Sequence, residues 1–183
     1  AGRGEQWIAR PLAAREAPAL LGGDGPRRYF VAFTTPAEER GLGGFMGSWA
    51  ILTAHDGKVE MTLNGRAADL NTAGGTRDLT GPEDYLQRYQ RFRPQDFVQD
   101  VTFSPDLPTV AEVVRQLYPQ RTGPSVDGGP IDGLLVVDPY GLAALLELTG
   151  PVRVEGLDEP LTSKNAADVL IRRQYLDFTN NAE

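Results

Sequence analysis

The pattern of apolar residues along the chain predicts four β-strands. Tyr29, Val31 and Phe33 alternate with other residues, which is the period of two expected of a half-buried strand. Asp56-Gly57 is a strong signal for a two-residue hairpin turn, and it separates two further strand candidates. Residues 131–137 are almost all apolar, as in a strand that is buried on both faces. We therefore expect strands near residues 28–34, 46–54, 58–63 and 131–137.

Helical spacing and capping signals predict the helices. Val110, Val113, Val114 and Leu117 follow the i, i+3, i+4, i+7 spacing of one helix face. Asp138-Pro139 combines an N-cap residue with a proline suited to the first helical turn. We expect helices near residues 108–118, 139–149 and 163–177, with further helical stretches near 6–21 and from Pro82 to about Phe92.

Three other segments carry weaker signals. Residues 97–103 are a weak strand candidate, residues 64–80 are expected to form a long polar loop, and residues 152–154 are expected to form a short strand. If residues 152–154 share the sheet with residues 131–137, the two strands and the helix between them form a βαβ unit with parallel strands. The whole pattern predicts a mixed α/β (α+β) domain, with a central mixed β-sheet flanked by helices.

Composition and charge narrow the classes of partner. The 183 residues are 40% hydrophobic and 23% charged, which is typical of one globular domain. A formal net charge of -7 argues against binding to DNA, RNA or anionic lipid head groups. No apolar run approaches the roughly twenty residues that a membrane-spanning helix requires, and we expect a membrane link only through a segment absent from this chain.

The scarcity of cysteine and histidine restricts the chemistry. The chain has no cysteine, which excludes thiolate nucleophiles and cysteine-ligated zinc. Its one histidine, His55, lies beside the predicted hairpin turn, where we expect it to be exposed. A catalytic imidazole must be held between a nucleophile and a carboxylate, so acid–base work would fall to carboxylates, tyrosine or lysine.

The glycine-rich stretch from Arg40 to Ser48 is the most unusual segment. Glycines allow backbone N–H groups to converge on an anion, as the Gly43-Gly44 pair could, and Arg40 could add a forked contact. No Gly-Lys-Ser/Thr follows, so the stretch is not a Walker loop. The structural alternative is a bent or bulged entry into a strand, where glycine relieves crowding.

Three aspartates are further candidates. Asp106 is expected either to cap a helix or to bind a cation or orient a substrate hydroxyl. Asp138 is most simply a cap, although it follows a predicted strand, and ligands of open α/β sheets gather beyond such carboxyl ends. Asp132 lies inside the same predicted strand. Arg172 and Arg173 are expected on the solvated face of the last helix.

Three stretches resemble a bacterial, largely actinobacterial family, the domain of unknown function 4012: residues 29–33 together with 37–48, residues 104–109, and residues 131–152. The residues that match its common pattern Glu-x-Arg-x-x-Gly-Gly-Phe are Glu38, Arg40, Gly43, Gly44 and Phe45. The resemblance implies an extracytoplasmic domain behind a membrane helix, in a cell-envelope or exopolysaccharide context, with no established activity. We accordingly expect one domain over residues 1–183, with a core at about 20–178, cut from a longer membrane-anchored protein.

Residues 131–154 are also faintly similar to the LytR-CpsA-Psr phosphotransferases. That likeness implies arginines and aspartates around a pyrophosphate and a divalent cation such as Mg²⁺, with Asp106 and Asp132 as catalytic candidates and Arg40, Gly43 and Gly44 as anion-binding candidates. The first hypothesis is therefore an enzyme that handles polyprenyl-pyrophosphate-linked glycopolymer. The second is a non-catalytic envelope module that binds a glycan or a partner protein. The two differ in whether Arg40 and Asp106 face one cavity with apolar walls.

Overall fold

A four-stranded mixed sheet organises the protein, as predicted. A computed structural model describes residues 14–71, 77–121 and 126–173. The strands of the sheet are β1 (Arg27–Thr35), β2 (Phe45–His55), β3 (Lys58–Arg66) and β4 (Gly133–Val137). Their order is β3-β2-β1-β4. The first three strands form an antiparallel meander, and β4 adds to the edge of β1 in parallel.

Helices lie against this sheet at the predicted positions. They are α1 (Glu83–Tyr89), α2 (Leu107–Leu117), α3 (Pro139–Thr149) and a short turn, Ala166–Asp168, that continues as a π-helical turn, Val169–Arg173. Residues 14–20 are also helical. Four 3₁₀ turns connect these elements: Ala67–Leu70, Gln90–Phe92, Val98–Phe103 and Tyr118–Gln120.

The capping signals act as the sequence predicts. The Asp106 side chain accepts a hydrogen bond from the Thr109 N–H at 3.0 Å, and Asp138 accepts one from the Gly141 N–H at 2.6 Å. At the hairpin between β2 and β3, both Asp56 and Gly57 have positive φ, as the predicted turn requires. Local polar residues therefore set the ends of the two long helices and the register of the hairpin.

One face of the sheet carries the main hydrophobic core. Phe30 and Trp49, on adjacent strands, stack with ring centroids 5.9 Å apart. The apolar stripe of α2 packs on them, and Val113 and Leu117 are fully buried. A second, smaller cluster lies between α3 and the last helical turn and comprises Leu146, Leu161, Ala166 and Val169. The core thus fixes α2 to one face of the sheet.

The structure corrects two of the weaker expectations. Residues 98–103 form a 3₁₀ helix rather than a strand, because the buried Val98, Val101 and Thr102 follow a helical spacing and not an alternation. The expected βαβ unit is wrong as well. Val152 forms only an isolated antiparallel bridge with Leu161, so β4 has β1 as its parallel partner instead.

Segment boundaries account for the remaining differences. The polar region after residue 63 is shorter than expected, because β3 continues to Arg66 and a 3₁₀ turn follows directly. The early helix is seen at residues 14–20, and Gly22, with a φ of 80°, follows its end. The last helix is seen up to Arg173. The remaining parts of these two predictions, residues 6–13 and 174–177, lie outside the described residues.

Candidate functional site

The parallel pairing of β1 and β4 creates a shared edge at which both strands end. Phe33 is in register with Val137, so Asp138, the first residue after β4, lies beside Thr34 near the end of β1. The entry into β2 lies at the same edge, because Thr35 pairs with Phe45. This is the carboxyl-terminal edge, the place where α/β sheets gather ligands. Two adjoining hollows open here, and both are lined by Asp138.

The first hollow, which we call the polar lobe, has a volume of about 650 Å³. It is formed mainly by the loop between β1 and β2, together with the end of the 3₁₀ segment at Phe103. Its lining residues are Pro36, Glu39, Arg40, Gly41, Gly43, Gly44, Phe103 and Asp138. The predicted anion-binding residues Arg40, Gly43 and Gly44 therefore do lie together.

The second hollow, the apolar lobe, has a volume of about 240 Å³ and lies between the ends of the strands and the start of α3. Its walls are largely apolar side chains, with small residues of β2 at one side. The lining residues are Phe33, Thr34, Thr35, Gly47, Ser48, Val137, Asp138, Pro139, Leu142 and Leu170. An apolar hollow thus adjoins the hollow that contains arginine.

Arg40 is held by contacts from the 3₁₀ segment. Its guanidinium carbon lies 3.8 Å from the ring centroid of Phe103 and 5.5 Å from that of Phe45. One terminal nitrogen lies 3.4 Å from a carboxylate oxygen of Asp100, and both side chains are about four-fifths buried. Burial raises the pKa of Asp100, and the neighbouring Arg40 opposes that rise in part. The guanidinium is therefore fixed in place mainly by an aromatic ring and faces a carboxylate that is costly to ionise.

The glycines of this loop have a structural role that the sequence left open. A Cβ on Gly41 would overlap the carbonyl oxygen of Phe103, and one on Gly44 would overlap that of Thr35. Phe33 pairs with Ser48 whereas Thr34 pairs with Met46, so Gly47 is the extra residue of a β-bulge. The bulged strand entry is confirmed.

That structural role leaves two amides available for a ligand. Leu42 donates its N–H to Thr102, and Phe45 donates to Glu38. Within the described residues, no acceptor contacts the N–H groups of Gly43 or Gly44, which lie between these two donors and line the polar lobe. The loop can therefore both pack tightly and present two backbone donors.

The structure does not bring the predicted catalytic aspartates into these lobes. Asp106 is exposed, and its hydrogen bonds with Thr109 lower its pKa. Gly41 packs against the neighbouring Pro105, so Asp106 is near the loop without lining either lobe. Asp132 lies at the opposite edge of the sheet. The catalytic roles assigned to both aspartates stay predictions.

Asp132 is tied to the start of β1. It accepts hydrogen bonds from the Arg28 N–H at 2.8 Å and from the Arg27 guanidinium at 3.0 Å. The stretch of β1 between Arg28 and Thr35 corresponds to about 23 Å at the usual rise of a strand residue. Asp132 is thus separated from the polar lobe by most of the length of the sheet.

Sequence reasoning missed Asp100 and Phe103 as partners of Arg40. Both lie in the segment expected to be a strand, in which residues three apart point to opposite faces. In a 3₁₀ helix residues three apart are eclipsed on one face, so Asp100 and Phe103 reach Arg40 together. The helical spacing of the buried residues in 98–103 is the signal that would have revealed them.

The remaining candidates are not at this site. His55 is exposed at the hairpin, as expected. Among the described residues, no group of three or more His, Cys, Asp or Glu side chains could hold a metal ion. Arg172 is exposed, as predicted, and it pairs with Asp168, whereas Arg173 is only partly exposed.

The fold and the site define a mixed α/β domain with a two-part cleft at the carboxyl-terminal edge of its sheet. The model of a family described as a protein of unknown function (DUF4012) matches residues 24–175, and the chain belongs to this family. No curated protein and no solved structure matches the chain. Within the described residues, no helix is both long and apolar enough to cross a membrane.

Proposed function

We propose that this domain binds an amphipathic ligand, with an oxyanion head in the polar lobe and an apolar chain in the apolar lobe. The observation that carries the proposal is the adjacency of the two lobes. Arg40 and the amides of Gly43 and Gly44 line one lobe, apolar side chains line the other, and Asp138 lines both.

The polar lobe offers the donors that a phosphate group needs. The ion pair between Arg40 and Asp100 joins a terminal guanidinium nitrogen to a carboxylate oxygen at 3.4 Å. Arg40 also lines the polar lobe, so its guanidinium is within reach of a ligand there. A guanidinium binds phosphate through two parallel hydrogen bonds, and adjacent backbone amides add to such a site.

The apolar lobe suits the chain of the same ligand. Phe33, Val137 and Leu142 present hydrocarbon to a hollow that lies between the strand ends and the start of α3 and is open to solvent on one side. Burying a chain of six carbons would contribute up to about 5 kcal/mol before the cost of ordering the chain. That contribution would exceed a single hydrogen bond from the largely buried Arg40 to a charged group, which is worth about 1.5–3 kcal/mol. Most of the affinity is therefore expected to come from the apolar lobe and the specificity from the polar lobe.

A lipid-linked phosphate that carries a glycan, such as a polyprenyl-pyrophosphate-linked glycopolymer, has this combination of head and chain. The resemblance to envelope proteins supports placing the domain in the extracytoplasmic cell envelope as part of the proposal. Asp106 and Asp132 lie outside both lobes. The proposal is accordingly one of ligand binding, without a transfer step.

Isothermal titration with three soluble probes tests the proposal. Dihexyl phosphate contains the head and the chain, dimethyl phosphate contains only the head, and hexanol contains only a chain. We expect dihexyl phosphate to bind at least about tenfold more tightly than either fragment, which corresponds to 1.4 kcal/mol. Equal binding of hexanol and dihexyl phosphate, or no binding of the latter, contradicts the proposal.

A substitution that fills the apolar lobe sharpens the test. A Cβ on Gly47 would meet no atom within 4 Å, so Gly47→Leu can occupy the lobe without a backbone clash. We expect it to weaken binding of dihexyl phosphate about tenfold or more while leaving the circular dichroism spectrum unchanged. Asn64→Leu, at an exposed position of β3 outside both lobes, is the matched control and should bind as the wild type does.

A further inference from the structure

We propose that Asp100 gates the binding of an oxyanion by Arg40. The ionised carboxylate of Asp100 weakens this binding, and its protonated form strengthens it. The inference rests on the proposed function, since it describes the regulation of the same site. It assigns a role to a residue that does not itself line either lobe. Asp100 would act on the ligand through Arg40, as a positioning and specificity residue.

The geometry of the pair supports competition rather than a fixed salt bridge. The nitrogen–oxygen distance of 3.4 Å is longer than the 2.7–2.9 Å of a strong charge-assisted hydrogen bond. Arg40 has no other charged partner among the described residues. An oxyanion in the polar lobe would therefore share the guanidinium with Asp100 alone.

The arginine is expected to stay in place when Asp100 loses its charge. The ring of Phe103 lies 3.8 Å from the guanidinium carbon, and Phe103 in turn stacks on Phe92 at 3.9 Å between ring centroids. This stacking does not depend on the ionisation of a carboxyl group. Protonation of Asp100 would free the charge of Arg40 without releasing its side chain from the wall of the lobe.

The surroundings of Asp100 make its ionisation less favourable than that of an exposed aspartate. Burial raises its pKa above the ordinary range, and the opposing effect of Arg40 does not cancel that rise. Tyr85 of α1 is a further titratable group that faces Asp100, and burial together with Asp100 raises the pKa of its hydroxyl. Asp100 thus takes up its proton at a higher pH than an exposed aspartate does.

Two further carboxylates line the polar lobe and must be separated from this effect. They are Glu39 and Asp138. The pH dependence of the wild type alone cannot be assigned to one of the three carboxylates, so the test requires a substitution at Asp100. Asp100→Asn keeps the shape of the side chain and removes only its charge.

The experiment is titration of dihexyl phosphate into the wild type and into Asp100→Asn between pH 7.5 and pH 4.5. A phosphodiester keeps one negative charge over this range, so the probe itself does not titrate. We expect Asp100→Asn to bind the probe at least about fivefold more tightly than the wild type at pH 7.5. We also expect it to gain less affinity than the wild type on acidification. Arg40→Gln should bind weakly at both pH values.

The control is Glu112→Gln, which removes a carboxylate that is paired with Arg115 on the exposed side of α2, outside the cleft. This variant should match the wild type in affinity and pH profile. If Asp100→Asn binds no more tightly than the wild type at pH 7.5, the gating is overturned, whereas the proposed function stands. If neither protein binds the probe at any pH, the proposed function fails and the inference with it.

A purely structural role for Asp100 predicts a different result. If the ion pair were needed to hold Arg40, Asp100→Asn would bind more weakly and would lower the midpoint of urea unfolding. That outcome overturns the inference. Should the variant not fold, the wild type can still overturn the inference: constant affinity between pH 7.5 and pH 4.5 does so, because at least one carboxylate would have to titrate for gating to occur.

Discussion

Replacing Gly44 by alanine tests whether the glycines of the polar lobe are fixed by packing. Gly44 has a φ of 115°, a backbone conformation that residues with a Cβ rarely adopt. The added Cβ would also overlap the carbonyl oxygen of Thr35, which belongs to the backbone of β1 and cannot rotate away. The substitution therefore combines a strained dihedral with a clash inside the sheet.

The size of the effect follows from these two terms. A residue held in a disfavoured φ region costs roughly 1–3 kcal/mol, and overpacking typically adds about 1–3 kcal/mol. We expect Gly44→Ala to lower the free energy of unfolding by about 3 kcal/mol. With a urea m-value of about 1–3 kcal/mol/M for a small protein, the unfolding midpoint should fall by at least about 1 M.

Gly47→Ala is the matched control, because it lies in the same loop-to-strand segment. Its φ is outside the left-handed region, and an added Cβ meets no atom within 4 Å. Removing a glycine at such a position is expected to be neutral or to stabilise by about 0.4–1 kcal/mol, through the lower entropy of the unfolded chain. Equal unfolding midpoints for the two variants, measured by urea titration with circular dichroism, would refute the packing argument for Gly44.

Two other substitutions test how single polar side chains contribute to stability. The buried hydroxyl of Tyr85 has no hydrogen-bond partner among the described residues. Tyr85→Phe should therefore leave the urea midpoint unchanged or raise the stability by up to about 1 kcal/mol. A loss of stability above about 1 kcal/mol would contradict this expectation. Desolvation raises the pKa of Asp127, but hydrogen bonds from Arg28, the Gly129 N–H and Tyr118 outweigh it and leave the pKa below its ordinary value. Its carboxylate therefore stabilises the fold above about pH 4, and that contribution is lost as the pH falls through the lowered pKa. Asp127→Asn should accordingly lose less stability than the wild type between pH 5 and pH 3 in thermal unfolding, and parallel curves would refute the assignment.

Most of the fold could be predicted because its elements carry local signals. The alternation in β1, the Asp56-Gly57 turn and the proline-and-aspartate start of α3 each depend on a few adjacent residues. The parallel neighbour of β4 could not be predicted in the same way. Local signals do not specify which strand lies beside which, and the short strand expected after α3 forms a bridge to Leu161 instead.

The candidate site was predicted only in part, for a related reason. Arg40, Gly43 and Gly44 are adjacent in sequence and lie together in the polar lobe. Asp132 lies about 23 Å away along the sheet. This separation could not be predicted, because nothing in the sequence states which end of β4 meets the loop after β1. Asp100 and Phe103 contact Arg40 through long-range packing that a one-dimensional pattern does not encode.

The charge of the polar lobe determines which ligands the cleft can hold. Three carboxylates lie at or next to the polar lobe: Glu39, Asp138, which is engaged in capping α3, and Asp100, which is four-fifths buried. The N-terminal end of α3 offsets part of the Asp138 charge, because a helix N-terminus carries about half a positive charge. Glu39 then remains as the exposed negative group at the lobe. Within the proposed class of lipid-linked ligands, a monoanionic phosphodiester is therefore favoured over a dianionic pyrophosphate diester, whose second charge would meet the charge of Glu39.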